Sequence, residues 1–121
     1  MKFHELAFFT DDVNSACDFY ERLLNAKPAY HGPGIAIFQI GEMHILIHAK
    51  YEPGPDELPC ENHFAVAVRN LDQTVADLET RGVVVQTPPK TYDWGRSAYL
   101  RDPDGKLIEL HEVKNETRST S

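Results

Sequence analysis

Phe3-His4-Glu5-Leu6-Ala7-Phe8-Phe9 runs into Thr10-Asp11-Asp12 and then into Val13-Asn14-Ser15-Ala16-Cys17-Asp18-Phe19-Tyr20-Glu21-Arg22-Leu23-Leu24. The first seven residues read as a strand. Thr10, Asp11 and Asp12 each offer an oxygen acceptor for the exposed N–H groups of a helix start. Val13, Ala16, Cys17, Tyr20, Leu23 and Leu24 follow at offsets 0, 3, 4, 7, 10 and 11, which is one apolar face of a helix. Asn25 to Pro28 ends it.

Outward from this β–α opening, residues 35–40 and 43–49 read as two strands joined by the short turn Gly41-Glu42. Residues 51–61 carry three prolines and a glycine, a spacing that suits a connector. Then the opening repeats. Residues 63–68 read as a strand, Asn70 caps a helix carrying Leu71, Val75 and Leu78, and Gly82 stops it. Val83-Val84-Val85 reads as a strand, and Pro88-Pro89 opens a loop. Residues 97–100 and 107–112 read as a hairpin about Asp102-Pro103-Asp104-Gly105, a β-turn sequence with proline second and glycine fourth. An offset of 58 pairs Glu5 with His63, Asp12 with Asn70 and Val13 with Leu71, and an offset of 63 pairs Ile45–His48 with Ile108–His111. The expected architecture is α+β: two tandem βαβββ modules forming a curved mixed sheet, helices on the outer face and a cleft inside. The modules are expected at about 3–50 and 62–113, with linker 51–61 between them and a polar tail at 114–121, all in one domain.

Composition narrows the function. Net charge is −7, which argues against nucleic acid as a partner. No apolar run approaches the roughly 20 residues that span a bilayer, so no membrane partner is expected. The chain opens without a basic stretch leading into an apolar run, and Cys17 and Cys60 give neither a disulfide framework nor a zinc knuckle; a reducing cytoplasm fits both features. Cys17 lies on the helix stripe and reads as a small core residue.

Strand side chains alternate between two faces. Leu6 and Phe8, Ile45 and Ile47, Phe64, Val66 and Val68, and Ile108 and Leu110 make four apolar faces suited to helices. The opposite faces carry Glu5, Ala7 and Phe9; His44, Leu46 and His48; His63, Ala65 and Ala67; and Leu107, Glu109 and His111. A mixed face of this kind is either solvated or a site. Glu5, His63 and Glu109 recur at equivalent module positions, and one imidazole with two carboxylates suits a divalent metal such as Zn²⁺, Ni²⁺, Mn²⁺ or Fe²⁺. His4 is the rival of Glu5: a one-residue change of register would bring it to the cleft, but together with Leu6 and Phe8.

Asp12-Val13 with Phe19-Tyr20-Glu21-Arg22-Leu23-Leu24, and Trp94-Gly95-Arg96 with Asp102-Pro103-Asp104-Gly105-Lys106-Leu107-Ile108-Glu109-Leu110, resemble the vicinal oxygen chelate superfamily over about residues 3–113. That superfamily includes glyoxalase I, bleomycin-resistance proteins, fosfomycin-resistance thiol transferases, methylmalonyl-CoA epimerase and extradiol dioxygenases. Its ligand positions fall on Glu5, Leu46, His63 and Glu109. Leu46 cannot bind a metal, which leaves three ligands or a replacement by His44 or His48. The resemblance implies a glyoxalase-like, metal-dependent lyase or isomerase acting on a small substrate chelated through adjacent oxygens. Glu5 or Glu109 would move the proton. The alternative is a metal-free drug- or ligand-binding protein of the bleomycin-resistance type. Phe9, Phe38, His44, His48, Trp94 and Arg96 are the expected substrate contacts, and a homodimer is the expected assembly.

Overall fold

Asp12 opens the first helix in extended backbone, and its side chain accepts from the Ser15 N–H at 3.0 Å. That satisfies one of the donors a helix start leaves unpaired. Helix α1 runs Val13–Leu24 and closes on Asn25, whose φ of 52° is left-handed, a conformation asparagine tolerates. Asn70 starts α2 (Leu71–Thr80) in the same way, accepting from the Gln73 N–H at 3.1 Å, and Gly82 follows it at φ 84°.

The strands are β1 (Lys2–Thr10), β2 (Tyr30–Gly32), β3 (Ile35–Ile40), β4 (Met43–Ala49), β5 (His63–Val68), β6 (Thr87–Tyr92), β7 (Gly95–Arg101) and β8 (Leu107–Glu112). This computed structural model describes residues 1–54 and 60–113; residues 55–59 of the expected linker and the expected tail 114–121 lie outside the described residues. The chain divides into two units, His4–His63 and the part from Phe64 onward together with Met1–Phe3. The first unit orders its strands β2-β3-β4-β1, with β1 parallel to β4 and the other neighbours antiparallel. The second orders them β5-β8-β7-β6, with β8, β7 and β6 antiparallel in turn. The class is α+β, a βαβββ order used twice. Among the described residues no helix is long and apolar enough to cross a membrane.

Each unit has its own core, on the face its helix covers. In the first, Val13 and Cys17 of α1 pack with Ala36, Phe38 and Ile47, and Phe8 stacks on Tyr20 at 6.3 Å. Burial of a side chain such as Phe38 or Ile47 stabilises by about 1.5–3 kcal/mol. Burial, and then the charges of Glu21 and Asp18, push the Cys17 thiol up, so it stays a neutral core residue. In the second unit Leu71 and Val75 pack with Val66, Val68, Ala98, Leu100 and Leu110.

Two sequence expectations change. Val83-Val84-Val85 is not a strand: Val83 and Val85 pack against the α2 core while Val84 is exposed, and ladder pairing begins only at Thr87 opposite Tyr99. Pro88 and Pro89 lie inside β6 rather than in a loop. β6 ends the strand order, where a missing N–H costs least, and its register shifts between Thr87 and Lys90. The third strand of the first module, which the sequence does not locate, is the short β2.

A side-chain lock fixes α2. Glu112 Oε2 accepts from the Leu71 N–H at 2.8 Å, and Arg96 reaches Asp72 at 3.0 Å and Glu112 at 3.7 Å. At the far end of the same hairpin, Asp102 Oδ1 accepts from the Lys106 and Asp104 N–H groups at 2.8 and 2.9 Å, and Gly105 takes φ 87°. The Lys106 backbone bond, foremost, holds the Asp102 carboxyl below its usual range.

Asn70→Ala should cost about 1 kcal/mol by denaturant melts. Arg96→Ala should lower the melting temperature while leaving ligand or metal affinity unchanged, since the guanidinium is committed to α2. The Asp102 turn should be pH-sensitive. Its folded carboxyl lies below the ordinary aspartate value, so its contribution is full above that value and is lost as pH falls through the folded one. Thermal melts across pH should therefore show Asp102→Asn destabilising at neutral pH, with the gap to wild type closing in acid. A gap independent of pH contradicts this account.

Candidate functional site

The ladders decide which side chains share a face. In the first unit Glu5 lies opposite His44, Ala7 opposite Leu46 and Phe9 opposite His48, while Gln39 and Ile37 of β3 face His44 and Leu46. This is the face away from α1. Glu5 and His44 are both half-buried and adjacent. His4 belongs by alternation with Leu6 and Phe8, although its ring meets that of His44 edge-on at 5.4 Å.

At the other end of this face four rings gather. Phe9 meets His48 at 5.7 Å, Tyr51 at 5.9 Å and His63 at 6.3 Å, and His48 meets Tyr51 at 5.9 Å. Asn62 accepts from the Phe9 N–H at 2.8 Å, which ties the residue before His63 to the end of β1. Both histidines are oriented through Nδ1: His63 donates to the Glu61 carbonyl at 3.0 Å, and His48 donates to the Ala49 carbonyl at 2.7 Å. A carbonyl only accepts, so Nδ1 carries a hydrogen, and in the neutral ring the lone pair is on Nε2. That is the preparation metal-binding imidazoles commonly show.

Glu109 is described in the second unit. It lies opposite Tyr99, and His111 lies opposite Ser97. Glu109 is only 6% exposed and Ser97 and Tyr99 are buried. The Ser97 hydroxyl donates to Glu109 Oε2 at 2.8 Å, and His111 Nδ1 lies 3.2 Å from that hydroxyl. Tyr92 stands edge-on to Tyr99 at 6.3 Å and stacks on Trp94 at 4.6 Å. Burial first, then the charge of Glu109, pushes the Tyr92 hydroxyl up. Trp94 is 55% exposed, an open ring stacked on the half-buried Tyr92, which in turn meets the buried Tyr99 opposite Glu109.

Two expected contacts leave the set. Phe38 pairs with Ile45 and packs against Tyr20 under α1, so it belongs to the core and not to the Glu5 face. Arg96 alternates with Ser97 and lies on the α2 side, where Asp72 and Glu112 hold it. Conversely, Ser97, Tyr99 and His111 surround Glu109 without having been singled out. The signal for them is the turn: folding the chain about Asp102–Gly105 puts Ser97 opposite His111. Among the described residues, no group of three or more His, Cys, Asp or Glu side chains is gathered to hold a metal ion.

A family model described as Glyoxalase/Bleomycin resistance protein/Dioxygenase superfamily matches residues 2–110. The cadmium-induced protein CadI of Mycobacterium tuberculosis is 33% identical over 115 residues, covering 90% of this chain and 74% of CadI. The metallothiol transferase FosB of Staphylococcus epidermidis is 26% identical over 112 residues, covering 89% of this chain and 79% of FosB. Among solved structures, methylmalonyl-CoA epimerase from Mycobacterium tuberculosis superposes with a TM-score of 0.69 at 18% identity, over 98% of this chain and 91% of that one, a likeness of fold. The match runs nearly the whole length and agrees with the twice-used βαβββ order: the chain belongs to the Glyoxalase/Bleomycin resistance protein/Dioxygenase superfamily.

Proposed function

We propose that this chain is a metal-dependent enzyme acting on a small substrate through two adjacent oxygens, with Glu5, His63 and Glu109 as metal ligands. The observation that carries the reading is the orientation of His63: the Glu61 carbonyl takes its Nδ1 hydrogen, which makes Nε2 the donor atom. The donor chemistry fits a divalent ion, since one imidazole and two carboxylates suit Zn²⁺, Ni²⁺, Mn²⁺ or Fe²⁺. The name of FosB, a metallothiol transferase, supports the same reading. When bound, such an ion supplies Lewis-acid polarisation of the substrate oxygens.

The remaining chemistry belongs to side chains. Glu109 is buried and held by Ser97, which suits a fixed ligand. Glu5 is half-buried beside His44, which suits the carboxylate that moves a proton. Phe9, His44 and His48 supply substrate contacts on the first unit's face, and Trp94 supplies an exposed ring on the second.

A second reading keeps these contacts and dispenses with the metal, as a drug- or ligand-binding protein. It is favoured by Glu109 itself, whose Oε2 already has a donor in Ser97. Metal titration of chelator-free protein separates the two. The enzyme reading expects one equivalent of Zn²⁺, Ni²⁺, Mn²⁺ or Fe²⁺ bound by wild type. It expects His63→Ala to abolish binding without unfolding the protein, and His4→Ala to keep affinity within about twofold, because no ligand is touched. Wild type that takes up less than about a tenth of an equivalent of every ion sinks the enzyme reading. Loss of binding in His4→Ala but not in Glu5→Ala exchanges those two residues in the ligand set.

A further inference from the structure

Ser97 has one hydroxyl hydrogen and two hydrogen-bonding neighbours. Glu109 Oε2 is 2.8 Å from its Oγ and His111 Nδ1 is 3.2 Å away. The hydroxyl donates its hydrogen to Glu109 Oε2. Oγ is then left as an acceptor, and a bond to His111 requires the hydrogen on Nδ1. The result is a directed chain from His111 Nδ1–H to Ser97 Oγ–H to Glu109 Oε2. The opposite tautomer would set a lone pair against Oγ, and would aim it at Oε2, 3.8 Å away.

The surroundings are built for this chain. Ser97 is wholly buried and Glu109 nearly so, where a carboxylate that loses its donor is penalised most. The His111 ring lies against Gly95: a Cβ there would come within 3.1 Å of Cε1, and the φ of 140° independently favours glycine. The three side chains come from the β7–β8 ladder alone, and the same ladder sets Tyr99 opposite Glu109.

We propose that Ser97 and His111 are positioning residues that hold the Glu109 carboxylate in one orientation, as a metal ligand requires. This rests on the metal-dependent reading above. Ser97 fixes one carboxylate oxygen, and His111 fixes the rotation of the Ser97 hydroxyl, so that neither can turn without breaking the chain. Neither residue is assigned contact with substrate.

The test uses the full chain in two arms. In the first, ¹⁵N spectra of the metal-free protein report which imidazole nitrogen of His111 carries the hydrogen. The expected form has Nδ1 as N–H and Nε2 as lone pair in wild type, and Ser97→Ala loses that preference. A wild-type His111 with its hydrogen on Nε2 overturns the proposal, whether or not any variant folds. In the second arm Zn²⁺ alone is titrated. Ser97→Ala should bind roughly ten- to a hundredfold more weakly, and Ser97→Thr, which keeps the hydroxyl, should stay within about threefold of wild type. Zn²⁺ affinity unchanged in Ser97→Ala overturns the proposal, as does a Ser97→Thr variant as weak as Ser97→Ala. Wild type that binds no Zn²⁺, Ni²⁺, Mn²⁺ or Fe²⁺ overturns instead the functional reading on which the ligand role of Glu109 rests, and the imidazole spectrum still decides whether the hydrogen-bond chain exists.

Discussion

A strand has two faces, and in each half of this chain a helix takes one of them. Phe8, Ile45 and Ile47 are committed to α1 by their apolar surface, and period-two alternation then dictates that Glu5, Phe9, His44 and His48 point the other way. The same constraint acts in the second half. Val66, Val68, Leu100 and Leu110 are spent on α2, so Ser97, Glu109 and His111 share the remaining face. The polar chemistry is a residue of the packing problem: it occupies what the two cores leave over.

The second half carries the sharper demand. A carboxylate that is nearly out of water needs donors, and an isolated one is costly to bury. Glu109 has the Ser97 hydroxyl, and its charge is felt as far as the half-buried Tyr92 hydroxyl. The first half is looser. Glu5 and His44 are half-buried, and His48 and His63 are aligned by main-chain carbonyls rather than by side chains. The two halves repeat one topology yet orient these groups differently, Glu109 through a side-chain network and His48 and His63 through backbone acceptors.

Much of this is legible in the sequence, because the signals are local. Asp12 and Asn70 announce the helix starts, the alternation in β1, β4, β5 and β8 sorts their faces, and Asp102-Pro103-Asp104-Gly105 announces its turn. What escapes a linear reading is register. Phe38 looks like a cleft wall until the Gly41–Glu42 turn is folded, which sets it opposite Ile45 on the helix side. Arg96 looks like an anion anchor at a cleft mouth until β7 is extended back to Gly95, which turns it toward Asp72 and Glu112. Pro88-Pro89 looks like a loop because nothing in the local pattern says that β6 ends the strand order, where prolines are tolerated. Val83–Val85 has β-branched side chains but no ladder partner, and propensity does not supply one.

The β7–β8 hairpin has a consequence for how the protein comes to be folded. Its two strands are joined by a tight turn, and such hairpins form within about 1–10 μs, well before contacts between distant parts of a chain. Ser97, Glu109 and His111 all lie in that one hairpin. The donor that Glu109 needs is therefore delivered by the same event that starts to remove it from water, and no stage of assembly requires the carboxylate to wait, stranded, for a partner from elsewhere. Glu5 and His63, by contrast, are separated in sequence by α1, β2, β3 and β4, so anything that joins them needs a contact between distant parts of the chain. Among the described residues the buried carboxylate thus sits in a segment that carries its own donor, which makes that hairpin a natural unit to graft, duplicate or transplant between relatives.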